Sequence, residues 1–101
     1  QMRSLTPAVR EVVNAESPSN RQIVVDSGVL ILGVQQNSPA ARAGLQPGDV
    51  ITTLAGRSIE SAETVQQIVQ ETDIGEPLAL VLDRYGQRLE LTLSPAALPV
   101  R

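Results

Sequence analysis

The run Gly-Val-Leu-Ile-Leu-Gly-Val-Gln-Gln-Asn-Ser-Pro-Ala-Ala-Arg-Ala-Gly-Leu-Gln-Pro-Gly-Asp-Val-Ile, residues 28–51, constrains the fold more than any other part of the chain. It reads as strand, loop, short helix, tight turn, strand. Residues 29–34 are apolar and rich in β-branched side chains, which suits a buried strand. Ser38 is placed to N-cap a helix, and Pro39 fits the first helical position, where no amide donor is needed. Ala40, Ala41 and Ala43 favour the helix. Gly44 suits the left-handed residue that stops it, with Leu45 packing back on the last turn. Pro47-Gly48 sets a tight turn with positive φ at the glycine. A strand over 50–54 follows.

The flanking sequence is punctuated in the same way. A short strand is expected over 1–5. Thr6 and Pro7 open a helix over 6–14 whose stripe is Val9, Val12 and Val13. Residues 16–20 form a polar loop, and Ile23-Val24-Val25 reads as a short strand or an extended lead-in. After a bend at Ala55-Gly56, residues 57–59 suit a short return strand. Ser61 caps a second helix running to about Thr72, with Glu63 in its first turn. Residues 78–83 and 88–93 form a hairpin, the second arm alternating Leu89, Leu91 and Leu93 with polar residues. Residues 95–101, with Pro95 and Pro99, read as a tail on a domain of residues 1–94. The elements together give five or six short strands and two substantial helices. That fits a small antiparallel sandwich or barrel, mainly β, capped by helices.

What the chain lacks narrows its chemistry. Its 101 residues hold no His and no Cys, and all eight cations are arginines. This rules out a Ser-His-Asp triad, thiol chemistry, a disulfide framework and a Ser-Lys dyad. No cofactor or metal is expected, and the fragment is expected to hydrolyse nothing by itself. The arginines are scattered singly and the formal net charge is −3, so nucleic-acid binding is not expected. Tyr85 is the sole aromatic residue, which argues against base stacking or an aromatic cage. The acids at Glu60, Glu63, Glu71 and Asp73 read as solvated helix-end charges. Asp49 reads as a lone surface carboxylate that accepts from nearby backbone amides. Gly44 and Gly48 read as structural. The first residues look like the middle of a strand, so a piece of a longer protein is expected.

The segment Asn37-Ser-Pro-Ala-Ala-Arg-Ala-Gly-Leu-Gln-Pro-Gly-Asp-Val-Ile51 resembles the signature of bacterial PDZ domains, above all those that follow the protease domain in HtrA/Deg-type serine proteases, cyanobacterial members included. The resemblance implies the circularly permuted bacterial arrangement, in which the strand lining the binding groove opens the domain. It implies binding of peptide C-termini or unfolded segments by strand addition, between the first strand and the helix over 61–72. Met2 and Ser4 would face that groove from the strand. Ala62, Gln66 and Val69 would face it from the helix, at i, i+4 and i+7. Val65 and Ile68 belong at the border with the core, and Gln66 makes the pocket more polar. The family's carboxylate-binding loop would stand before the first strand, and this sequence is expected to start after it. The resemblance further implies a parent serine endopeptidase with its catalytic residues outside this chain. That parent is expected to be homo-oligomeric, extracytoplasmic and engaged in protein quality control. A different protease class or a non-enzymatic envelope scaffold is the alternative parent.

Overall fold

Among the described residues three hydroxyl side chains start the three α-helices, each accepting an amide of the first turn as an N-cap does. Thr6 accepts from Val9 (3.1 Å), Ser38 from Ala41 (3.2 Å) and Ser61 from Thr64 (3.3 Å). The computed structural model describes residues 2–73 and 75–93, so the tail expected over 95–101 lies outside the described residues. The elements are β1 (Met2–Leu5), α1 (Pro7–Ala15), β2 (Gly28–Ile31), α2 (Pro39–Ala43), β3 (Val50–Leu54), β4 (Arg57–Ser58), α3 (Ala62–Glu71), β5 (Leu78–Arg84) and β6 (Gln87–Leu93). A single 3-10 turn, Ser19–Arg21, follows α1.

All strand pairs are antiparallel, in the order β1-β2-β3-β5-β6, with β4 paired to β3. Two hairpins turn on residue pairs that both have positive φ, Ala55-Gly56 and Tyr85-Gly86, the pattern of a type I′ turn. Alternation along the strands sends side chains to two cores. On one face Leu5, Leu30 and Val50 meet Ile23, with Val9 and Val13 of α1 packed against them. On the other, Val29, Ile31, Ile51, Leu80 and Leu82 meet Val65 and Ile68 of α3. The sheet therefore lies between α1 and α3.

One expectation about strands changes, and one open alternative is decided. The strand expected over 29–34 ends at Ile31. Past it Leu32 is 50% exposed, while Val34 packs on the core without belonging to a strand. Ile23-Val24-Val25 is the extended lead-in and not a strand, because a side chain takes the place of a neighbouring strand. Asn14 accepts from the Ile23 amide (2.8 Å) and donates to the Ile23 carbonyl (2.9 Å).

Asp49 also differs from expectation. It does accept from a nearby amide, that of Gln46 (2.9 Å), but it is neither lone nor at the surface. Its side chain is 0% exposed and takes a two-pronged contact from Arg84, Nε to Oδ1 at 2.7 Å and Nη2 to Oδ2 at 2.8 Å. Arg84 Nη2 also donates to the Gly44 carbonyl (3.0 Å). The pair thus ties the α2 stop and the turn before β3 to the end of β5. Its hydrogen bonds with Asp49 raise the Arg84 guanidinium above its ordinary pKa, against an opposing effect of burial. A raised basic group loses its stabilising contribution only as pH rises through that raised value. Arg84 therefore stays cationic throughout the neutral and acid range.

Gly44 ends α2 in the left-handed region with φ 96°, and Gly48 turns with φ 95°. The two differ in surroundings. A Cβ at Gly44 would meet open space, whereas one at Gly48 would collide with the Tyr85 hydroxyl and lie 2.8 Å from its ring carbon Cζ.

Candidate peptide groove

β1 stands at the end of the strand order, so among the described residues no strand covers its outer edge. Which of its backbone groups face outward follows from Ile31. Ile31 donates its amide to the Asp49 carbonyl and accepts from the Gly48 amide, both at 2.8 Å. Its polar groups therefore point toward β3. Met2 lies opposite Ile31, so those two form a non-hydrogen-bonded pair, and two residues on Ser4 opposite Val29 does the same. The amides and carbonyls of Met2 and Ser4 are thus directed away from the sheet. Among the described residues no strand takes them up, so they offer a template for another strand.

α3 flanks this edge. Ser4 Oγ accepts from the Ala62 amide at 2.9 Å, which sets the start of α3 against the end of β1. Met2, Ala62 and Val69 are half-buried, and all three border the core cluster that holds Val65 and Ile68. Gln66 is exposed on the helix between Ala62 and Val69. Val65 and Ile68 are buried in the core itself. Of the residues expected at the groove, the structure joins Ser4 to Ala62 directly and packs Met2, Ala62 and Val69 against the same core cluster. It leaves Gln66 in solvent.

The chemistry available here is recognition. An extended segment would find outward backbone donors and acceptors on β1, apolar surface below and one polar amide side chain on the helix. Among the described residues no group of His, Cys, Asp and Glu could hold a metal ion, and no helix is long and apolar enough to cross a membrane. The ion pair of Asp49 and Arg84 lies away from this edge, at the turn before β3, and its role is to fix that turn.

Residues 30–84 match the sequence model of the PDZ domain. The chain belongs to the PDZ domain family. It is 36% identical over 98 residues to HhoB of Synechocystis, named a serine protease, which covers 97% of this chain and 24% of that one. It is 34% identical over 91 residues to a DegP-like protein of Pseudomonas putida, named a periplasmic serine endoprotease, covering 90% of this chain and 19% of the other. This PDZ domain thus spans about a quarter or less of the length of those curated relatives. Its fold matches the PDZ domain of HtrA3, solved with a phage-derived peptide, FGRWV. The TM-score is 0.81 at 30% identity, covering 94% of this chain and 80% of the other.

Proposed function

We propose that this PDZ domain is the peptide-recognition module of an HtrA-type serine endopeptidase, and that it takes an extended segment of a substrate protein as an added strand along β1. The observation that carries the reading is the free edge of β1, with the Met2 and Ser4 backbone groups directed outward beside α3. In strand addition the backbone bonds supply affinity and the side-chain pockets supply selectivity. Met2, Ala62 and Val69 would supply the apolar part of the pocket and Gln66 a polar rim. The relatives named as serine proteases, and the HtrA3 domain solved with a peptide, support the same reading. The parent's catalytic residues would then lie outside this chain. An extracytoplasmic location and a homo-oligomeric parent belong to the same proposal.

Titration of the domain with FGRWV, followed by NMR, tests it. Amide shifts should cluster on Met2–Leu5 and Ala62–Glu71. A version lengthened by upstream residues of the parent should bind more tightly, and amidation of the peptide's C-terminus should reverse much of that gain. Shifts confined to the hairpin of β5 and β6 would sink the proposal.

A further inference from the structure

We infer that Ser4 is a positioning residue of the groove: by capping α3 at the Ala62 amide, its hydroxyl fixes the distance between the edge strand and the helix. The inference rests on the reading of β1 and α3 as the two walls of a peptide site.

A helix leaves its first amides without partners inside itself. In α3 the Ser61 hydroxyl takes the Thr64 amide and the Ser61 carbonyl takes the Val65 amide (3.4 Å). The Ala62 amide is taken instead by Ser4, 58 residues away in the chain. Ser4 therefore does from a strand what a capping residue does from within its own turn.

The rest of the attachment is of another kind. Among the described residues no other hydrogen bond joins α3 to the strands, and the helix is held by Val65 and Ile68, with Ala62 and Val69 half-buried beside them. Apolar contact is non-directional and tolerates sliding. A hydrogen bond holds both distance and angle. A serine hydroxyl sits one bond from Cβ, so it has little slack with which to follow a shifting helix. The groove is thus pinned at the start of α3 and adaptable toward Val69. Ser4 also carries outward backbone groups, so the pin stands at the point where an added strand would register.

Amide exchange and FGRWV titration test this on the wild type, Ser4→Ala, and the equal-sized pair Ser4→Thr and Ser4→Val. Both β-branched residues suit a strand, so the pair separates the hydroxyl from bulk and from failure to fold. Losing the bond should speed Ala62 exchange roughly tenfold and weaken peptide binding about fivefold in Ser4→Ala and Ser4→Val. Ser4→Thr should restore both, and exchange at Leu82 in the core, which reports global opening, should speed up less than exchange at Ala62 in every variant that lacks the hydroxyl. Unchanged Ala62 exchange or unchanged affinity in the variants lacking a hydroxyl overturns the inference, as does failure of Ser4→Thr to restore affinity. A wild type that does not bind the peptide overturns the functional reading instead. Exchange at Ala62 then decides the pin by itself: dependence on the hydroxyl upholds it, and indifference to the hydroxyl overturns it.

Discussion

A fully buried carboxylate is tolerated only where its charge is met, and at Asp49 the work falls to Arg84 and the Gln46 amide. Removing the cation should cost more than removing the charge it answers. Arg84→Met should lose about 3–5 kcal/mol, because it leaves a buried carboxylate unpaired. Asp49→Asn should lose less, and the double variant should lose less than the sum of the two. Urea denaturation of the four proteins measures the coupling, and additive losses would show that the pair is not a unit. The two glycines in the same region separate conformational strain from collision. Gly44→Ala should cost about 1–2 kcal/mol from backbone strain alone, since nothing crowds its Cβ. Gly48→Ala should cost more, and the excess should vanish in a Tyr85→Ser background. An excess that survives there would mean that Tyr85 is not the obstacle. The glycine roles and the local amide bond of Asp49 were legible from the Ser-Pro and Pro-Gly-Asp spacing. Arg84 was not, because it lies 35 residues on and no local pattern marks it.

Among the elements, the helix starts were plain in the sequence because a cap is a local device: one hydroxyl, one amide, three residues apart. Strand extents were less plain because a strand is defined by a partner. Residues 29–34 are continuously apolar, yet the ladder stops at Ile31, and only packing decides that Leu32 stays half in water. The converse holds at Ile23, which is buried and extended but bonded to Asn14 instead of a strand. Asn14 should therefore matter more than an ordinary polar helix residue. Asn14→Ala leaves both the amide and the carbonyl of Ile23 without that partner and should cost about 1–3 kcal/mol. Asn14→Asp keeps the acceptor and loses the donor, and should fall between. Chemical denaturation checks the order, and a neutral Asn14→Ala would mean that water replaces the side chain at no cost.

Across the whole molecule, strand alternation and helical spacing picked out Met2, Ala62 and Val69 only because the PDZ resemblance had set the first strand beside the helix over 61–72; all three pack against the cluster that holds Val65 and Ile68. Alternation and spacing could not show that the Ser4 hydroxyl is committed to a helix amide, since no periodicity links residues 4 and 62. That long link has a kinetic side. The hairpins at Ala55-Gly56 and Tyr85-Gly86 close over two residues, whereas joining Ser4 to Ala62 closes 58. Loop closure costs more entropy as the loop grows, and contacts distant in sequence tend to slow folding. The edge of β1 should therefore dock after the rate-limiting barrier. Ser4→Ala is expected to raise the unfolding rate about fivefold and leave refolding nearly unchanged, giving a φ-value near zero in stopped-flow measurements. Slower refolding would mean instead that the edge belongs to the nucleus. With the edge docking last, a peptide seated along it acts as a brake on unfolding and does nothing to speed folding.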